Sequence, residues 1–277
     1  MKYILCILAL FSASLNSCTG LREKNDASDV LPQTYGSGWY SEGGLPEKYL
    51  TYEKKEIVPL FPEKKDPNLE FFVNTLDISS EAESKLLQQT LYGGLNYMDY
   101  AENVYKKVND DYQKIKETAV VQPKGPYDWS YIETFSGVIY PELLVISHSS
   151  YIYSGGAHGQ NQKAYFVLDT KLLKKLTPRD ILRDGTEEAL QKQIDDALRA
   201  KYAKYNADSG TALKTIGFFE DTAGKSENFF VSKEGLGFCW NPYDIAPYSM
   251  GVIEVVLPYD KIENLLTERG VALFKNL

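Results

Sequence analysis

The spacing of apolar residues changes period several times along the chain, and each change marks an element. The runs YLTYEKKEIVPLF and LEFFVNTLDI, between Tyr49 and Ile78, are rich in β-formers and flank the breaker PEKKDPN, which predicts two strands. Ser80 and Glu83 have the spacing of a capping box. Leu86, Leu87 and Leu91 follow at helical intervals until Gly93 and Gly94 end the segment. A second helix is predicted where Ala101, Val104, Tyr105, Val108, Tyr112 and Ile115 fall on one face. The pattern then returns to β-type runs in WSYIETFSGVIY, LLVISHSSYIYS and KAYFVLDTKL, separated by Pro141 and a glycine loop, which predicts an antiparallel meander.

Beyond the meander, Thr177-Pro178-Arg179-Asp180 starts one helix. Thr186 starts a longer one with Leu190, Ile194, Ala197, Leu198 and Tyr202 as its buried stripe. NFFVSKEGLGFCW predicts a hairpin around Ser232 to Gly235, and GVIEVVLPY a last long strand. Asp260 with Glu263 predicts a cap for a terminal helix carrying Ile262, Leu265 and Leu266. Strands in hairpin order interrupted by helices indicate an α+β fold of antiparallel sheets covered by helices, in two lobes. No GxGxxG, GKS/T, HExxH, GxSxG or CxxC string is present, so those nucleotide, zinc, hydrolase and redox signatures give no cofactor assignment.

The first residues follow another logic. MKYILCILALFSASLNSC begins with one lysine, continues with an apolar run too short to span a bilayer, and ends in Leu15-Asn16-Ser17-Cys18. Residues 1–17 are expected to be a signal peptide and Cys18 the lipidation site of a bacterial lipoprotein, with membrane attachment at the cell envelope through the lipid. Residues 18–46 are polar and rich in glycine and serine and predict a flexible tether. The formal net charge of −8, with 38 acidic against 30 basic residues, disfavours nucleic acid as a partner. Apart from Cys18, only Cys239 would remain after the signal is removed, so no internal disulfide is expected.

Four segments in order, YSGGAHG, LDTKLLKKLTPRDIL, NFFVSKEGLGFCWNPYDIAPYSMG and IEVVLPYDKIENLL, resemble a C-terminal domain of unknown function. That domain is shared by the lysozyme-sensing anti-sigma-V factor, the peptidoglycan N-acetylmuramic acid deacetylase and many lipoproteins of Bacteroides-type bacteria. The resemblance implies a C-terminal recognition domain over residues 126–277 and a small α/β companion domain over 47–125. A deacetylase would need a further domain with metal-binding Asp and His residues, and an anti-sigma factor a cytoplasmic segment. The part carried over is the envelope-facing recognition domain, with a lysozyme-like muramidase or a peptidoglycan fragment as its implied partner.

Two loops carry the candidate binding residues. Gly155, Gly156, Ala157, His158 and Gly159 can turn sharply and present backbone amides. Asn241, Pro242, Tyr243, Ile245, Pro247 and Tyr248 form a proline-stiffened, aromatic loop of the kind found at recognition surfaces. The two loops are expected to lie side by side at one sheet edge, with His158 orienting the first loop. Only two histidines exist, His148 and His158, without a thiolate pair, so no metal site and no catalytic residue is assigned. His148 is expected to be a satisfied histidine of the sheet, and Asp244 a turn-former. The alternative is a cell-wall or glycan hydrolase using His158 or acids such as Asp244 and Glu254 in a cleft.

Overall fold

The computed structural model describes residues 38–40, 69–73, 75–78, 80–118, 129–203 and 212–277. The expected signal peptide, Cys18 and the strand expected in YLTYEKKEIVPLF lie outside the described residues. In chain order the elements are β1 (Gly38–Tyr40), β2 (Leu69–Val73), α1 (Glu81–Leu91), α2 (Tyr97–Thr118), β3 (Trp129–Ile139), β4 (Leu143–Tyr153), β5 (Gln160–Asp169) and β6 (Lys174–Lys175). They continue with α3 (Pro178–Ile181), α4 (Glu187–Tyr202), α5 (Leu213–Ile216), β7 (Phe229–Ser232), β8 (Gly235–Trp240), β9 (Ile253–Pro258), α6 (Tyr259–Ile262) and α7 (Glu268–Lys275). The fold is α+β, with two sheets in which antiparallel pairing predominates.

The predicted meander is β3-β4-β5, extended by β6 and by β1 and β2, both of which pair with β3. These last two pairings are parallel, not antiparallel as expected. For β2 the reason is topological: α1 and α2 carry the chain back before β3 begins, and a helical crossover returns it in the same direction. β1 falls inside the segment expected to be a tether. Three residues paired through their backbone leave no hydrophobic pattern by which to find them.

The run Leu143-Leu144-Val145-Ile146 is continuous rather than alternating because its strand is buried on both faces. Leu143 and Val145 join Tyr165 and Val167 in a core completed by β7-β8-β9 and α4. Leu144 and Ile146 point the other way, joining Phe135, Leu168 and the leucines of α1 in a second core. The two lobes thus share the meander as a common wall.

The helix ends differ from several sequence expectations. Ser80 makes no side-chain cap bond, and Glu83 is buried. The Asp77 carboxylate instead accepts from the Ile78 N–H and the Ser84 hydroxyl, both at 2.8 Å. Thr177 and Asp180 do form their box: the Asp180 carboxylate accepts from the Thr177 N–H at 2.7 Å. The terminal helix divides into α6, a 3-10 turn over Glu263–Leu265, and α7, and Asp260 and Glu263 do not cap it. Thr267 caps α7 by accepting the Gly270 N–H at 3.0 Å. Gly270 hid α7 from sequence reasoning because glycine weakens helix propensity. Its lack of a side chain is required by packing, since a Cβ there would lie 2.6 Å from the Ile181 carbonyl oxygen.

Arg269 on α7 fastens the end of the chain to the meander. Its guanidinium donates to Glu142 in the β3–β4 turn at 2.6 Å and also binds the fully buried Asp169 at the end of β5. The hydrogen bond from Arg269 holds the Glu142 carboxyl below its ordinary value of 4.5, with added attraction from Lys171. A depressed carboxyl pKa adds stability that is complete above the ordinary value and is lost as pH falls through the folded value. Urea unfolding between pH 7 and pH 3 should therefore show a loss below about pH 4.5 that is smaller in Glu142→Gln. Identical acid limbs in the two proteins would contradict this role for Glu142.

Candidate functional site

The site is built where the three-stranded sheet meets the outer edge of β5. A β-strand edge presents backbone donors and acceptors that need partners. Near its C-terminal end β5 is served by the β6 side, where the Leu176 N–H donates to the Val167 carbonyl at 2.8 Å. Further along, two asparagine side chains take over. Asn228, just before β7, accepts the Tyr165 N–H at 2.8 Å and donates to the Lys163 carbonyl at 2.8 Å. Asn241, just after β8, accepts the Lys163 N–H at 2.6 Å and donates to the same carbonyl at 3.1 Å. Both asparagines sit at the open end of the β7-β8 hairpin, so their amides continue the ladder where no further strand is present.

A polar cluster behind this seam ties in β9. Glu254, 5% exposed, pairs with the Lys163 ammonium at 3.0 Å and accepts the Tyr165 hydroxyl at 2.7 Å. Burial pushes the Tyr165 phenol far up, and the Glu254 carboxylate adds to the effect. Cys239, opposite Glu254 on β8, is buried, and burial likewise raises its thiol well above the ordinary range. Such a thiol is inert at neutral pH.

The two candidate loops lie against each other. The Tyr248 hydroxyl donates to the Gly159 carbonyl at 2.6 Å, and the His158 ring stacks on Tyr248 with centroids 3.8 Å apart at 16°. Gly159 is buried over Tyr151, and a Cβ at that position would lie 2.3 Å from the Tyr151 ring. Gly155 and Gly156 take left-handed φ values of 94° and 98°, and the Gly156 carbonyl accepts the Tyr153 hydroxyl at 3.1 Å. Ala157, His158 and Pro247 are exposed and Pro242 is half-buried.

Within the second loop the residues divide by role. Asn241 serves the β5 edge, and Ile245 is packed into the core. Asp244 is exposed and accepts the Asn241 N–H at 2.7 Å, which is the expected turn-forming role. Tyr243 points away from its sheet. It is 59% exposed and has φ of 73°, a left-handed conformation uncommon for a residue with a bulky side chain. Its ring lies 5.9 Å from Tyr248, so Tyr243, Tyr248 and His158 form one aromatic surface.

His158 bonds through Nδ1 to the Gly159 carbonyl, not to an acid. Asp244 is engaged in its turn, and Glu254 is buried with Lys163. The acid partner of a histidine lies elsewhere. His148 Nε2 is 2.6 Å from the buried Glu133, whose carboxylate also accepts the Tyr100 and Tyr131 hydroxyls at 2.8 and 3.2 Å. The His148 ring stacks on Phe135 at 4.4 Å. His148 is thus a satisfied histidine of the sheet. Glu133 was not singled out from the sequence because its meeting with His148 depends on the β3–β4 register, which brings Phe135 opposite His148. No group of three or more His, Cys, Asp and Glu residues among the described residues is arranged to hold a metal ion. No helix among them is long and apolar enough to cross a membrane.

Asn228, Asn241, Glu254 and the second loop fall within the segment recognised by comparison with known proteins, whereas Lys163 and Tyr165 precede it. Residues 179–260 match the family model DUF3298, described as a protein of unknown function. Two solved structures share the fold. A DUF3298 family member from Bacteroides fragilis NCTC 9343 matches 73% of this chain and 86% of its own at 22% identity, with a TM-score of 0.61. A DUF3298 family protein from Pseudomonas aeruginosa PAO1 matches 75% and 89% at 20% identity, with a TM-score of 0.53. None of the curated proteins matches the sequence. The DUF3298 match begins after the glycine loop, yet Tyr248 and Asn241 reach back to Gly159 and Lys163.

The buried pair gives a direct test of the seam. Lys163→Met leaves the Glu254 carboxylate buried without its cation and should cost about 3 kcal/mol in urea unfolding. Lys163→Met combined with Glu254→Leu should recover most of that loss, because an apolar replacement of both partners leaves no buried charge. A double variant no more stable than Lys163→Met would show that the loss is not electrostatic.

Proposed function

We propose that this protein is a lipid-anchored component of the cell envelope that binds a macromolecular ligand, without turning it over, through the aromatic surface of its two loops. The observation that carries the reading is Tyr243, held in a left-handed backbone conformation with its ring in solvent. Such a conformation costs of order 1–3 kcal/mol and persists only where surrounding structure enforces it. Here the enforcement is visible: the Tyr243 N–H donates to the Ala246 carbonyl at 3.0 Å, and Ile245 and Ala246, which complete the bend after it, are buried. A rigid, exposed aromatic ring next to a second tyrosine is a suitable binding anchor, because little side-chain freedom is lost on contact.

The segments resembling the lysozyme-sensing anti-sigma-V factor and the N-acetylmuramic acid deacetylase support a ligand from the cell wall or its enzymes, a lysozyme-like muramidase or a peptidoglycan fragment. The leader ending in Cys18 supports lipid anchorage. Nothing on the loop surface pairs a histidine with an acid, which favours recognition over hydrolysis.

Isothermal titration of the full chain against lysozymes and soluble muropeptides should give saturable heat with at least one of them. Tyr243→Ala, whose side chain is exposed, should keep the melting temperature within a few degrees and weaken that binding by at least about 1 kcal/mol. Absence of heat with every ligand at high micromolar concentration, or unchanged affinity in Tyr243→Ala, would reject the reading.

A further inference from the structure

The face of the meander that packs on the three-stranded sheet is only partly covered by it. Its lower rows, Val138, Val145 and Val167, lie in the core. Its upper rows are half-buried except for the exposed Asn161, and register defines them. Thr134, Ser149 and Lys163 form one cross-strand row, and Ile132, Tyr151 and Asn161 the next. Alternation puts these side chains on the same face as Val145 and Val167, and the bond from Lys163 to Glu254 of β9 confirms the side. Tyr248 and His158 stand at the β5 margin of this face, with the Asn161 side chain against the Tyr248 hydroxyl. The open rows and the aromatic loops therefore form one continuous surface.

The chemistry of that surface is narrow. It offers hydroxyls from Ser149 and Tyr151, a carboxamide from Asn161, and aromatic rings from His158, Tyr243 and Tyr248. Its two neighbouring charges are already engaged, Lys163 with Glu254 and Asp244 with the Asn241 N–H. Neutral hydroxyl and amide groups beside an exposed ring match a polyhydroxylated ring molecule, whose C–H face is apolar and whose rim donates and accepts hydrogen bonds. The chain's net charge of −8 further disfavours an anionic ligand.

We propose that this surface binds an uncharged N-acetylated oligosaccharide, with a sugar ring stacked on Tyr243 and its hydroxyl and acetamido groups bonded to Ser149, Tyr151 and Asn161. The proposal rests on the functional reading above and names the chemical class that the same loops contact. It selects sugar over protein surface, and a neutral N-acetylhexosamine chain over a carboxylated one.

The test uses tri-N-acetylchitotriose and a carboxylated muropeptide as probes on the full chain, followed by calorimetry and by two-dimensional NMR of backbone amides. Chitotriose should bind and shift the amides of Ser149, Asn161 and Tyr243, and the muropeptide should bind more weakly. Tyr243→Ala and Asn161→Ala should each weaken chitotriose at least about tenfold, whereas Leu172→Ala, in an exposed turn elsewhere, should change nothing. No chitotriose binding at about 10 mM, with a lysozyme or muropeptide still bound in a Tyr243-dependent way, would overturn the saccharide assignment and leave the recognition reading intact. Chitotriose binding that is insensitive to both substitutions would overturn it as well. Loss of every ligand would overturn both.

Discussion

The outer edge of β5 is the constraint on which the remaining architecture depends. An unfinished edge exposes a row of backbone groups and invites pairing with another chain. In this protein the edge passes from β6 to two asparagine side chains that belong to the other sheet. Asn228 and Asn241 stand at the two ends of one hairpin opening, so satisfying Lys163 and Tyr165 fixes where that hairpin lies. The position of β8 then fixes β9, and Glu254 on β9 reaches back to the same two residues. Removing an amide would leave part-buried backbone donors without partners, at a cost towards the lower end of the range of about 1–3 kcal/mol for a buried group. The sheets are thus joined by directional bonds at the edge and by apolar packing beneath it.

The recognition surface follows from that junction. Asn241 is both the last clamp on β5 and the first residue of the aromatic loop, so the loop starts from a fixed point. Asp244 fastens to the Asn241 N–H, Ile245 and Ala246 anchor the middle, and Tyr248 reaches Gly159. Tyr243 projects from this frame because its neighbours on both sides are held. Binding by such a loop has little ordering cost to overcome.

Much of this arrangement was legible in the sequence, and the limits have physical causes. The meander, the β7-β8 hairpin, α2 and α4 announce themselves through periodicity, because side-chain burial and local geometry agree there. α7 was missed because Gly270 answers to the Ile181 carbonyl and not to helix propensity. β1 and the parallel pairings depend on backbone contacts that leave no pattern. At the site, glycines, prolines and tyrosines marked the two loops. The division of labour inside them was hidden: Asn241 and Lys163 are 78 positions apart, and Asn228 and Lys163 are 65 apart, so neither clamp has a local signature. Ile245 and Tyr243 differ in exposure only because the bend turns one inward and the other out. The Glu133–His148 pair required the strand register before its members could be seen to meet.

Amide hydrogen exchange at Lys163 and Tyr165 tests the edge constraint most directly. Both amides lie on the outer side of the strand, and both should exchange slowly in the native protein, as hydrogen-bonded sheet amides do. Asn241→Ala should release Lys163 and Asn228→Ala should release Tyr165, while Val145 and Leu168, paired inside the meander, keep their protection. Rapid exchange at both amides in the unaltered protein, or protection unchanged in both variants, would contradict the claim that asparagine side chains complete this sheet.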